Sequence, residues 1–137
     1  MKLHESSEDY LERILMLEIA NGKVKSIDIA LDMNFSKPSV SIAMKKLKEN
    51  DYITIDKKGY IHLTESGEKI AKAIYERHVL LTKALMYLGV DEETAKQDAC
   101  KIEHDLSEES FQCIKKHITK GNWLWYQKNF YMLHLVY

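Results

Sequence analysis

Cys100, Glu103 and His104 stand at i, i+3 and i+4. On a helix that spacing puts them on one face, with Cys100 in the middle of the arc. Thiolate, carboxylate and imidazole are the main side-chain ligand types for transition metals. His78 lies in an apolar stripe between Ile74 and Leu81, and Asp9 and Glu12 form an i, i+3 carboxylate pair turned away from Leu11 and Leu15. Each piece has an ordinary explanation. A histidine beside an apolar stripe is commonly a hydrogen-bonded core residue, and acid in a first turn complements the helix dipole. Together, however, they put metal-competent groups on three separate helices, with an acidic pair expected to face outward.

A second set of residues suits nucleic acid. Plotted at helical spacing, Val40, Ala43, Met44 and Leu47 fall within one core-facing arc of about 100°. The opposite arc holds Pro38, Ser41, Ile42 and Lys45, flanked by Lys37, Lys46 and Lys48, with no acidic residue in the stretch. Ser36, Ser39 and Ser41 are small hydroxyls that allow close approach to phosphate or base edges. Ile42 is apolar on an outer face and suits contact with thymine methyl groups. Lys57 and Lys58 fall at a turn and suit phosphate contact. A solvated lysine face and an ordinary turn would use the same residues; the surrounding elements favour the nucleic-acid reading.

Those elements follow from caps and periodicity. Ser6-Ser7 as hydroxyl caps, followed by Glu8 and Asp9 in the first turn, predict a helix start, and Asn21-Gly22 its end. Ser26 is expected to cap a second helix, Ile27 to Met33. After an Asn34-Phe35 turn, Ser36 caps a third helix to about Asn50, with Pro38 tolerated in its first turn. Tyr52–Ile55 and Tyr60–Leu63 flank Asp56-Lys57-Lys58-Gly59 and read as a hairpin. Thr64 caps a long helix striped by Ile70, Ile74, Leu81, Leu85 and Leu88. Gly89-Val90-Asp91 breaks it, Glu92 to about Asp105 is helical again, and Ser107 caps a helix to about Ile118 that Gly121 ends. The predicted fold class is mainly α: a winged helix-turn-helix with a small β-hairpin wing over 1–70, then a helical domain over 71–137 that carries the candidate metal ligands His78, Cys100, Glu103 and His104.

Composition agrees. The 137 residues are 45% hydrophobic and 30% charged, with one Pro and five Gly, which leans towards helix. A net charge of -1 gives no global pull towards nucleic acid, so a DNA reader must keep its positive charge local. Cys100 and Cys113 are too few for a disulfide framework and read as free thiols in a reducing cytosol. No apolar signal-peptide core is visible and no run reaches the roughly 18 residues of a membrane span, so the expected location is cytoplasmic.

The chain resembles the diphtheria-toxin-repressor family of metal-dependent repressors, closest to its short manganese-responsive branch. The segments that carry the resemblance are Glu8-Asp9-Tyr10-Leu11-Glu12, Ser36-Lys37-Pro38-Ser39-Val40-Ser41, Leu63-Thr64-Glu65-Ser66-Gly67, Arg77-His78 and Ile102-Glu103-His104. They recur in order over residues 1 to about 118. The resemblance implies metal ligation by Asp9, Glu12, His78, Glu103 and His104, and a homodimer built from the C-terminal helices. It also implies repression from a palindromic double-stranded DNA operator when metal is bound, in the service of metal homeostasis.

Two departures bear on the metal. Manganese-responsive members usually carry Glu where this chain has Cys100, whereas iron-responsive members carry Cys there but usually lack the acidic pair. The thiolate therefore ranks Fe(II) first and Mn(II) second. Thr82 and Lys96 stand where ancillary-site ligands of iron-responsive members would be expected. The tail also departs, being aromatic with Trp123, Trp125, Tyr126, Phe130, Tyr131 and Tyr137 where relatives usually carry a charged helix. Two other classes compete: a metalloenzyme using Cys100, Glu103 and His104, and a winged-helix regulator sensing redox state or an organic ligand. A metalloenzyme is disfavoured, since no substrate loop or separate nucleophile–base pair is evident.

Overall fold

The computed structural model describes residues 5–118; the aromatic tail and the Gly121 stop lie outside them. The described elements run α1 (Glu5–Asn21), α2 (Ser26–Met33), α3 (Lys37–Glu49), β1 (Ile53–Ile55), β2 (Ile61–Leu63), α4 (Glu65–Tyr87) and α5 (Glu92–Ile102). A further helix, α6, is present over 108–118. The chain forms two compact units, Met1–Ala73 and Ile74–Tyr137, and the division falls inside the continuous helix α4.

In the first unit α1 packs on α2, α3 and β2, and α3 on α2 and β1. Leu11, Ile14, Val24, Ile29, Val40, Met44, Leu47, Ile53 and Ile61 make the core. Each such aliphatic side chain removed from water contributes about 1.5–3 kcal/mol. The turn between α2 and α3 depends on Asn34 in the left-handed region (φ 56°, ψ 43°), which Asn tolerates better than other side-chain-bearing residues. The Phe35 N–H then donates to the Ala30 carbonyl at 3.0 Å. Ser36 caps α3 by accepting the Ser39 N–H at 3.3 Å, with Pro38 in the first turn as expected. β1 and β2 pair antiparallel in the register Ile53↔Leu63, Thr54↔His62, Ile55↔Ile61. The turn joining them needs Gly59 at φ 88°.

Thr64 caps α4 as predicted, accepting the Gly67 N–H at 3.2 Å. The same hydroxyl donates to the Asp51 carbonyl at 2.6 Å, and the Thr64 N–H to Tyr52 O at 3.0 Å. The start of α4 is thereby pinned to the entry of β1.

Four expectations need correction. Ser6 and Ser7 are not caps, because α1 is already helical at Glu5; Glu5 and Glu8 supply the favourable first-turn charge. Ser26 does not cap α2. The helix begins at Ser26, and the Asp28 carboxylate reaches back to accept the Lys25 N–H at 2.8 Å. Leu88 is no part of a buried stripe: it is 77% exposed, and in α4 Ala71, Ile74, Tyr75, His78, Val79, Leu80, Leu81 and Thr82 are buried instead. Finally, α5 ends at Ile102 rather than near Asp105.

Candidate metal centre and nucleic-acid interface

In the second unit, α4 presents His78 towards the end of α5. His78 Nδ1 lies 2.9 Å from Glu103 Oε2 and 3.6 Å from Cys100 Sγ. The other Glu103 oxygen, Oε1, lies 3.3 Å from His104 Nε2. One donor atom each from His78, Cys100 and Glu103 all fall within 4.8 Å of one another. His78, Glu103 and His104 are buried, and Cys100 is exposed. Three ligand types therefore meet at a place where the imidazole and carboxylate are shielded and the thiol faces outward.

This donor set fits a divalent transition ion. Ligands at about 2.0–2.3 Å from such an ion stand roughly 3–4 Å apart, so small side-chain rotations suffice. Burial pushes the Glu103 carboxyl up, but hydrogen bonds and charge from His104 and His78 outweigh it and hold the carboxyl below its ordinary value. The site thus keeps its carboxylate in the ionised form that a metal needs.

The sequence placed Cys100, Glu103 and His104 on one helix, whereas Glu103 and His104 occupy the turn after α5. The cause is Arg77. Its Nη1 donates to the Glu103 carbonyl at 3.1 Å and to the Leu106 carbonyl, and its Nη2 to Glu108 Oε2 at 2.8 Å. Carbonyls that a continued helix would have bonded to its own N–H groups are taken by the guanidinium, whose fork suits several acceptors. Ser107 then starts the next helix by accepting the Ser110 N–H at 3.1 Å, as predicted. Arg77 was legible only as part of a family segment; no periodicity signalled its role.

Asp9 and Glu12 belong to the first unit. Asp9 is half-buried, but Glu12, expected to face outward, is 3% exposed. Tyr10, Leu11 and Glu12 are buried in succession, so α1 is covered on more than one face at this turn, and the partly exposed side is that of Asp9 and Arg13.

In the same unit Ser36, Lys37, Pro38, Ser39, Ser41, Ile42, Lys45 and Lys46 are all exposed along α3, opposite the buried Val40, Met44 and Leu47. Ile42 is 60% exposed. Lys57 and Lys58 are exposed at the hairpin tip. There the Asp56 carboxylate accepts the Lys58 and Tyr60 N–H groups at 2.9 and 3.0 Å and meets His62 Nε2 at 3.0 Å. Sequence reasoning missed Lys23 and Lys25, whose ammonium groups lie 5.0 and 4.8 Å from the Tyr60 ring centroid.

Residues 2–61 match the model of the iron dependent repressor N-terminal DNA binding domain. Residues 64–120 match that family's metal binding and dimerisation domain. The chain belongs to the iron-dependent repressor family. In this repressor the exposed α3 and hairpin residues fall in the DNA-binding domain, together with Asp9 and Glu12. His78, Cys100, Glu103 and His104 fall in the metal-binding and dimerisation domain.

Similar proteins include an uncharacterized HTH-type transcriptional regulator of Methanocaldococcus jannaschii, 37% identical over 115 residues, covering 82% of this chain and 92% of that one. The HTH-type transcriptional regulator MntR of Bacillus subtilis is 38% identical over 109 residues, 80% of this chain and 77% of that one. Among solved structures, the manganese regulator SloR is similar with a TM-score of 0.73 and 30% identity over 87% of this chain. A manganese-dependent transcriptional repressor in complex with manganese is similar with a TM-score of 0.75 and 27% identity over 81% of this chain. The chain spans about half the length of these solved structures, 55% and 51% respectively.

Proposed function

We propose that this repressor binds a palindromic operator as a homodimer when a divalent transition metal occupies a site built from Asp9, Glu12, His78, Cys100, Glu103 and His104, and that it thereby controls metal homeostasis. The observation that carries this reading is the convergence of His78, Cys100 and Glu103 donor atoms within 4.8 Å, with the first and last buried. The family's paired DNA-binding and metal-binding domains support it.

A bound divalent ion supplies positive charge that offsets the mutual repulsion of the carboxylates and a thiolate. Asp9 and Glu12 are the ligands proposed from the DNA-binding domain. His78, Glu103 and His104 hold buried donors, and Cys100 adds a soft one. Completing the set biases the protein towards the arrangement in which the α3 helices of two copies stand about 34 Å apart, one turn of DNA. Ser36, Lys37, Pro38, Ser39, Ser41, Ile42, Lys45 and Lys46 then face the major groove, and Lys57 and Lys58 the backbone.

The thiolate supports Fe(II) ahead of Mn(II), since softer ligands favour Fe(II). Against that order, solved structures of manganese regulators support Mn(II). The proposed role is regulatory and cytoplasmic, without catalysis; among the described residues no helix is long and apolar enough to cross a membrane. The test is selection from a random-sequence duplex library, anaerobically, with chelator, Fe(II) or Mn(II). Enrichment of a two-fold-symmetric sequence only with metal is expected, and equal enrichment in chelator overturns the proposal.

A further inference from the structure

The segment between α1 and α2 is joined to the wing. The Ile61 N–H donates to the Val24 carbonyl at 2.7 Å, and Lys25 pairs with Tyr60 as an isolated antiparallel bridge. Val24 is fully buried, which fixes the alternation: the side chains on either side of it, Lys23 and Lys25, point away from the core. Both reach the half-buried Tyr60 ring, at 5.0 and 4.8 Å from its centroid.

Among the described residues neither lysine ammonium forms an ion pair, and the Asp28 and Asp56 carboxylates, though ionised, direct their oxygens at other partners. Asp28 is hydrogen-bonded to the Lys25 backbone N–H, and Asp56 to Lys58, Tyr60 and His62. An aromatic face orients an ammonium group but leaves its charge uncompensated, unlike a carboxylate. Lys57 and Lys58 are exposed on the adjoining hairpin turn, so the segment and the turn together carry four lysines, Lys23, Lys25, Lys57 and Lys58, against the two carboxylates of Asp28 and Asp56.

We infer that Lys23 and Lys25, held on the Tyr60 ring, form a second phosphate-binding platform that grips the DNA backbone beside the wing. Backbone phosphates are the partner that the chemistry fits: the platform offers ammonium groups outside any ion pair on a braced surface, beside a wing turn rather than on the helix that enters the groove. This rests on the DNA-binding reading above and adds to it residues that neither helix α3 nor the wing turn contains.

The test uses the full chain loaded with metal. Lys23→Gln/Lys25→Gln is compared with Lys69→Gln, an exposed lysine on α4, by titrating operator and non-operator duplexes over a series of salt concentrations. The double variant is expected to weaken both duplexes by the same factor and to flatten the salt slope by about two units, near 0.9 for each phosphate no longer neutralised. Tyr60→Phe, which keeps the ring, should bind like the unmutated protein, and Tyr60→Leu should weaken both duplexes. Thermal melting checks that each variant is folded. Binding by the double variant that matches Lys69→Gln in affinity and slope overturns the platform, while the DNA-binding reading stands. Weakening confined to the operator also overturns it, because the lysines would then read bases. Absence of metal-dependent binding by the unmutated chain overturns both readings.

Discussion

A Cβ atom placed on Gly67 would collide with the carbonyl oxygen of Tyr52 and stand 3.0 Å from its carbonyl carbon. That oxygen already accepts the Thr64 N–H, so it cannot withdraw without breaking the cap region of α4. Gly67 is thus demanded by close backbone approach, where the start of α4 crosses the entry to β1. Gly67→Ala is expected to destabilise the first unit by roughly 3 kcal/mol, as overpacking against backbone does. Urea unfolding measures it; a loss below that of an ordinary surface helix substitution would show that the approach is not constraining.

Arg77 holds the turn that carries two of the proposed ligands without being one itself. Its bonds to the Glu103 and Leu106 carbonyls hold the turn that carries Glu103 and His104. Arg77→Ala should weaken metal binding about tenfold or more, while Arg77→Lys, lacking the fork, should restore little. Metal titration by calorimetry reads both. If Arg77→Ala binds metal normally, the turn is held by other contacts.

Asp56 braces the wing and has a pH signature. The His62 hydrogen bond leads the effects that hold its carboxyl below the ordinary carboxylate value, with the Tyr60 and Lys58 N–H groups adding to it. A lowered folded value means the contribution is fully present above the unfolded value of about 3.9 and is lost as pH falls through the lower folded one. Amide exchange at Lys58 and Tyr60 should stay protected at neutral pH and rise only in that acidic window. Asp56→Asn should show raised exchange at every pH.

Ile42 is 60% exposed on the face of α3 opposite Val40 and Met44. Ile42→Ala removes no core contact, so stability should change by less than about 0.5 kcal/mol. Discrimination at one base pair should nevertheless change by roughly 1–3 kcal/mol. Binding to a panel of single-substituted operators decides the matter, and an unaltered preference at every position removes Ile42 from the base-reading set.

Cys100 stands 3.6 Å from His78 Nδ1 and is the one soft donor in the proposed ligand set. Cys100→Glu exchanges a soft donor for a hard one and should shift activation from Fe(II) towards Mn(II). Cys113, also exposed, provides the control as Cys113→Ser. The readout is the ratio of Fe(II) to Mn(II) concentrations that activate DNA binding. Equal ratios in the two variants would make Cys100 structural.

Much of this was decided within a few residues along the chain. The Ser36 and Thr64 caps, the Asn34 turn, the hairpin around Gly59 and the apolar face of α3 follow from side-chain reach and backbone sterics over three or four positions, so they were legible in the sequence. So were the ligand types, because residue identity alone specifies donor chemistry. Tertiary packing decided where those donors stand. Arg77 reaches a carbonyl 26 residues away and so holds the turn in which Glu103 and His104 lie, just beyond the helix that their spacing predicted. Glu12 is buried because α1 is covered on more than one face, and Lys23 and Lys25 meet Tyr60 only because Val24 pairs with Ile61. Periodicity reports one face of one element; contacts between distant segments depend on how the faces are assembled.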